Sequence, residues 1–132
     1  GLDAQYTFPT ELKSELNEAV GKYVITSDDW LYSRRRQYDK ARAELLNAIE
    51  IRFAAATYLL ERYPWDLAMI VFTATDGAAH FFWKFMDTAH VLYDAQSAAR
   101  YGKTILEVYK GRYQTCSVYQ HAAQRYCVVH CL

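Results

Sequence analysis

The sequence has no excess of either charge, because 15 lysine and arginine residues are matched by 15 aspartate and glutamate residues. A chain without net charge lacks the electrostatic footprint that binds nucleic acid or an anionic membrane surface. It also lacks any apolar run near the roughly 18 residues that a membrane span needs. Its N-terminus shows no basic region followed by an apolar one, the pattern of an export signal. These absences predict a cytoplasmic protein without a nucleic-acid or membrane partner.

Cysteine is scarce and unevenly placed, since the chain has three, Cys116, Cys127 and Cys131, all near its end. An odd number of cysteines cannot form a complete disulfide framework. Apolar residues make up 52% of the chain, which excludes a disordered protein. Its 132 residues are enough for one small domain with a core of its own.

The first third of the chain is predicted to be helical. Thr10 is a candidate cap for a short helix over 11–20, which Gly21 would end. Residues 23–25 form a brief apolar piece that is typical of an extended segment.

A longer helix is predicted from about Trp30 to Tyr63, because apolar residues recur there at spacings of three and four. Pro64 would stop it. A helix of this length is unusual in a globular domain, so we expect a break near Arg34 or Gln37. The predicted buried stripe consists of Tyr38, Ala41, Leu45, Ile49, Phe53, Ala56 and Leu60.

The centre of the chain is the stretch DLAMIVFTATDGAAHFFWKF, residues 66–85. Its apolar run, 67–72, favours a strand buried on both faces, although the pattern alone also fits a buried helix. Asp76 then suits the cap of a helix over 77–86. One strand needs partners for its backbone groups, and 23–25 and 126–131 are the candidates. Pairing between chains in a homo-oligomer is the alternative.

Asp76 and His80 lie four residues apart, so a helix would place them about one turn from each other. A carboxylate and an imidazole at a strand-to-helix junction can share one metal ion. The pair also fits a purely structural role, in which Asp76 caps the helix and His80 is a hydrogen-bonded side chain. A D-x-x-x-H pair often arises by chance, so spacing alone favours the structural role.

The residues around this pair carry a more specific pattern. The stretch YPWDLAMIVFTATDGAAHFFWKFMDTAHVLYD, 63–94, contains T-x-T-D-x-x-x-H-F-F-W followed by M-D-x-x-H-x-L-Y-D. It closely resembles the prokaryotic type I phosphodiesterases and nucleotide pyrophosphatases of the alkaline phosphatase superfamily. The resemblance is specific over 63–94, and a more general similarity extends over 8–110. It departs at Gly77, where a larger, often basic residue is expected.

The resemblance implies an α/β sandwich of the alkaline phosphatase type for the complete protein. This chain would be mostly α-helical, with one central buried strand at about 66–74. Asp76 and His80 would be ligands of one of two catalytic metal ions, with zinc expected, and the substrate would be a phosphoester or nucleotide. The family's Thr or Ser nucleophile and its second Asp-His pair, within S-D-H-G, are not found here. We therefore predict a central fragment of a hydrolase that is inactive alone.

Three further residues are candidates for substrate contact. Arg34 and Arg35 belong to the only dense basic run, and an arginine fork suits a phosphate. The resemblance places 10–60 in an insertion near the active site, although a solvated helix face explains the arginines as well. His90 lies in a predicted loop, where an exposed structural histidine is an equal alternative.

The chain divides into three predicted parts: a helical insertion-like segment over 10–63, the strand, D-x-x-x-H turn and helices over 64–110, and an atypical tail over 111–132. A helix is predicted over 97–109, and the tail has no clear period. Truncation or a frameshift near Lys110 would explain the tail, and a native terminus is the rival.

Two alternative functions remain open. One is a non-catalytic helical interaction module. The other is a small zinc-stabilised domain, because thiolate and imidazole are the usual zinc ligands. Its candidate ligands would be Cys116, His121, Cys127, His130 and Cys131.

Overall fold

The computed structural model describes residues 5–119 and 126–131, with side chains described over 5–111. Over these residues the chain is mostly α-helical, as predicted. None of the helices in these ranges is both long and apolar enough to cross a membrane. The elements in chain order are α1 (Leu12–Val20), α2 (Asp29–Arg34), α3 (Tyr38–Arg62), β1 (Leu67–Phe72), α4 (Ala74–Met86), α5 (Ala95–Tyr101), α6 (Thr104–Tyr119) and β2 (Tyr126–Cys131).

The two strands pair in parallel, with a register that runs from Leu67 opposite Tyr126 to Phe72 opposite Cys131. Parallel strands need a long crossover, and here α4, α5 and α6 supply it. Of the two candidate neighbours for β1, 126–131 is the one that pairs with it, whereas the helical structure over 111–119 was not predicted. Residues 23–25, the other candidate for a neighbouring strand, lie in an irregular segment.

The prediction of a strand within 66–74 is confirmed, but the prediction that both of its faces are buried is wrong. Leu67 and Met69 are 68% and 73% exposed, whereas Phe72 is only 1% exposed. Side chains alternate between the two faces of a strand. The face that carries Phe72 packs against the helices, and the face that carries Leu67 and Met69 is largely open to solvent.

The expected break in the long helix lies between Arg34 and Tyr38. Arg36 adopts a left-handed conformation with φ 56°. The N–H of Gln37 donates to the carbonyl of Tyr32, and the N–H of Arg36 donates to that of Ser33. These two bonds form a Schellman motif, which ends α2 and turns the chain into α3.

The short helix α1 begins at Leu12, and the prediction that Thr10 caps it is wrong. Glu11 holds the cap position with helical backbone angles, and its side chain makes no capping hydrogen bond. The predicted end at Gly21 is confirmed, with φ 76°. Such an angle costs an ordinary side chain energy that glycine does not lose.

Glu15 attaches α1 to the end of α3. Its carboxylate accepts hydrogen bonds from the hydroxyls of Tyr58 at 2.7 Å and Tyr63 at 2.5 Å. The hydrogen bond from Tyr63, followed by that from Tyr58, lowers the pKa of Glu15. Arg62 adds a weaker attraction, with its Nε 3.8 Å from the carboxylate.

The core lies where α3, α4 and α6 meet. The predicted stripe of α3 is buried at four positions and half-buried at the other three. The buried residues are Ala41, Leu45, Ile49 and Ala56, and the half-buried ones are Tyr38, Phe53 and Leu60. Between the helices, four aromatic rings pack with centroid distances of 4.9 to 6.2 Å, most of them edge to face. The rings are those of Tyr38, Phe82, Phe85 and Tyr101. This cluster fixes one face of α4 and leaves the other face toward solvent.

The helix predicted over 97–109 is two helices, α5 and α6, separated at Gly102. A Cβ added to Gly102 would lie 2.7 Å from the carbonyl oxygen of Ala98 and 3.0 Å from that of Phe85. The end of α5 therefore approaches the end of α4 more closely than any side chain at position 102 allows.

Candidate metal site

Helix α4 begins at Ala74, three residues before the predicted start, and directly follows β1. Thr73 takes the cap position, so the prediction that Asp76 is the cap is wrong. Asp76 instead lies in the first turn, where the partial positive charge of the helix N-terminus favours a carboxylate. The hydroxyl of Thr75 donates to the carbonyl of Phe72 at 3.1 Å and ties the turn to the strand.

Asp76 and His80 meet on the solvent face of α4. Asp76 Oδ1 and His80 Nε2 are 3.2 Å apart, and the side chains are 55% and 70% exposed. The helix alone explains the contact, because residues four apart lie one above the other on its surface. An exposed polar contact of this kind contributes at most about 1 kcal/mol to stability.

The distance between these two atoms also fits shared coordination of a metal ion. With metal–ligand bonds of about 2.0 to 2.1 Å, two ligand atoms of a tetrahedral zinc site lie roughly 3.3 Å apart. Oδ1 and Nε2 are separated by nearly this distance. Because both side chains are exposed, an ion could reach them without rearrangement of the core.

A complete metal site needs more ligands than this pair provides. Across the described residues, no group of three or more His, Cys, Asp or Glu side chains could hold an ion. Structural zinc sites have four protein ligands and catalytic ones usually have three. Asp76 and His80 could thus supply two ligands of a metal site, but they do not form a complete ligand set.

Gly77, where the sequence departs from the resembled family, lies against the buried side of the same turn. A Cβ at this position would be 2.7 Å from Asp29 Oδ2 and 3.0 Å from Leu45 Cδ2. Asp29 is 7% exposed, and the hydroxyl of Ser27 donates to its other oxygen. A larger residue at position 77 therefore has no room while Asp29 occupies this place.

The other candidate residues make no described contact with the pair. Arg34 ends α2 and Arg35 follows it, both exposed. His90 lies in a loop, as predicted, and the loop covers 87–94. Its Nδ1 accepts a hydrogen bond from the N–H of Leu92 at 3.0 Å. Over the residues that the structure describes, no hydrogen bond or ion pair connects these three side chains to Asp76 or His80.

Sequence reasoning missed Arg52, which holds the end of β1. Its Nη1 donates to the carbonyl of Val71 at 2.9 Å and to Thr73 Oγ1 at 3.3 Å. Its Nη2 donates to the carbonyls of Ile25 at 3.1 Å and Val24 at 3.4 Å. The sequence feature that could have revealed this role is the position of Arg52, a cation on the apolar side of α3, three residues after Ile49.

The alternative zinc ligands belong to the last helix, the last strand and the segment between them. Cys116 belongs to α6, and Cys127, His130 and Cys131 belong to β2. Their side chains, and the whole of His121, lie outside the described residues.

Comparisons with known proteins do not place the chain in a family. No family model, no curated protein and no solved structure matches it.

Proposed function

We propose that this chain is part of a metal-dependent phosphoester hydrolase similar to the type I phosphodiesterases and nucleotide pyrophosphatases, with Asp76 and His80 as ligands of one metal ion. The observation that supports the proposal is the 3.2 Å separation of Asp76 Oδ1 and His80 Nε2 on an exposed helix turn. The expected ion is zinc, since it accepts carboxylate and imidazole ligands at this geometry.

The position of the pair in the fold also supports a binding role. Asp76 follows the carboxyl end of β1, and the parallel register brings the carboxyl end of β2 beside it. In open sheets of parallel strands, ligands bind at this end. Residues at the ends of neighbouring strands could therefore contribute to one site.

The pair would hold the ion as an anionic carboxylate and a neutral imidazole, because a protonated imidazole cannot ligate. A bound ion would act as a Lewis acid on a phosphoryl oxygen. The nearby hydroxyls do not match the family's nucleophile. Thr75 donates its proton to the carbonyl of Phe72, and Thr73 accepts from Arg52.

The proposal predicts that the isolated chain binds zinc weakly and hydrolyses no phosphodiester. Zinc binding should be measured by isothermal titration calorimetry. Asp76→Ala and His80→Ala should each weaken binding at least tenfold, which is about 1.4 kcal/mol. Asp66→Ala and His90→Ala are matched controls and should bind like the wild type.

Two results would contradict parts of the proposal. Turnover of bis(4-nitrophenyl) phosphate that disappears in Asp76→Ala would show that the chain is active alone. Zinc binding that is indifferent to both substitutions would remove the metal role and favour a non-catalytic helical interaction module.

The origin of the tail is tested on the encoding DNA. If another reading frame beyond the codon for Lys110 continues into a strand that ends in S-D-H-G, the tail is not native, and the support that β2 gives to the proposal is lost while the pairing of Asp76 and His80 is unaffected. If no frame does so, the tail is native, and the hydrolase proposal reduces to common ancestry with a changed role.

A further inference from the structure

A cleft of about 480 Å³ lies between α1, α3 and β1, away from the exposed face of α4. Its volume falls in the range of about 300 to 1,000 Å³ that is typical of small-molecule sites. Aliphatic side chains form most of its wall, among them Leu12 and Leu16 from α1, Leu59 from α3 and Met69 from β1. Such a wall favours an aliphatic ligand, because removing its surface from water is favourable.

Among the described residues that line this cleft, Arg52 is the single cation. Its four hydrogen bonds all go to uncharged oxygen atoms, three carbonyls and the hydroxyl of Thr73. Its Nε is buried and has no hydrogen-bond partner. A half-buried charge without a counterion loses solvation that uncharged acceptors restore only in part.

The rest of the cleft does not supply the missing negative charge. No aspartate or glutamate is among its described lining residues, and no described carboxylate forms an ion pair with Arg52. Tyr6 and Tyr23, which also line the cleft, stack on each other with ring centroids 5.7 Å apart. The cleft is thus apolar along most of its wall and positive at one point.

We propose that this cleft binds an amphiphilic anion, an aliphatic chain that ends in a carboxylate. The carboxylate would lie at Arg52, and the chain would lie between Leu12, Leu59 and Met69. Four of the five N–H groups of Arg52 already donate to protein oxygens, so the carboxylate would be held mainly by the uncompensated positive charge of the guanidinium. This binding site does not depend on the function proposed for Asp76 and His80.

The test compares three ligands with the same tail. Binding of decanoate, 1-decanol and decyltrimethylammonium to the whole chain should be measured by calorimetry below the micelle concentration of each. Decanoate should bind at least tenfold more tightly than the other two. Equal binding of decanol, tighter binding of the ammonium, or no binding of decanoate would overturn the proposal.

A pair of variants locates the site without disturbing Arg52, whose bonds also hold the chain at Val24 and Val71. Met69 is 73% exposed, so Met69→Glu and Met69→Lys should both fold while they remove the same apolar wall. Decanoate should bind at least tenfold more weakly to Met69→Glu than to Met69→Lys. Leu92→Glu, on a loop outside the cleft, should bind like the wild type. Equal affinities of the two Met69 variants would overturn the proposed site.

Discussion

The two faces of α4 have opposite surroundings although they belong to one helix of 13 residues. On one face, Ala78 and Phe82 are fully buried in the core. On the other, Asp76 and His80 are more than half exposed. The difference shows that the fold depends on the first face, while the second is available for binding. Substitutions on the two faces should therefore have different consequences.

The largest expected effect is on the buried face. Phe82→Ala should lower the free energy of unfolding by about 3 to 5 kcal/mol, because it leaves a cavity among Tyr38, Phe85 and Tyr101. Urea denaturation measures the loss. A change below about 1 kcal/mol would show that α4 is not anchored by this ring.

A substitution at Gly77 tests how closely the first turn of α4 packs against its neighbours. Gly77→Ala should destabilise the protein by about 1 to 3 kcal/mol, because the methyl group would overlap Asp29 and Leu45. Gly111→Ala is the matched control in α6, where the nearest atom to an added Cβ is 3.8 Å away. The control should be stabilised by up to about 1 kcal/mol, since alanine is the better helix former. Stabilisation by Gly77→Ala would mean that this turn is not closely packed.

On the exposed face, Asp76→Ala and His80→Ala should change the free energy of unfolding by less than about 1 kcal/mol in a chelating buffer. The reason is that each removes only a solvent-exposed contact. The measurement is the same urea titration used for Phe82→Ala. Losses as large as that of Phe82→Ala would remove the distinction between the faces.

Glu15 provides a benchmark for a carboxylate that does support the fold. Its pKa is lowered in the folded state, so its contribution to stability is present above the unfolded pKa and disappears as the pH falls through the folded value. Glu15→Gln should therefore lose less stability than the wild type as the pH falls below about 4.3, the pKa of an unperturbed glutamate. Parallel pH dependence in the two proteins would show that the bonds from Tyr58 and Tyr63 do not stabilise the ionised form.

Local sequence patterns predicted where helices and strands lie better than they predicted which side chains are buried. The break near Arg34 followed from helix length, and β1 followed from its apolar run. The exposure of Leu67 and Met69 could not be predicted, because no local pattern reveals which layers cover a sheet. The assignment of Asp76 as a cap was wrong because Thr73, directly after the strand, takes that position.

The candidate site was predicted in part. The spacing of Asp76 and His80 predicted their contact, because residues four apart lie one above the other on a helix. The role of Arg52 depends on carbonyls at Val24 and Val71, which only the fold brings together. Residues 111–119 lack an apolar period, so the continuation of α6 was not predicted. The family resemblance and the metal roles stay predictions, because no comparison tests them.

The most direct test of the central claim is an NMR titration of the histidine-labelled chain with zinc, following the imidazole nitrogens of its four histidines. The account predicts that Nε2 of His80 shifts, that Asp76→Ala abolishes this shift, and that His90 is unaffected. A shift confined to His121 and His130, with His80 unchanged, would contradict the account and assign zinc to the tail.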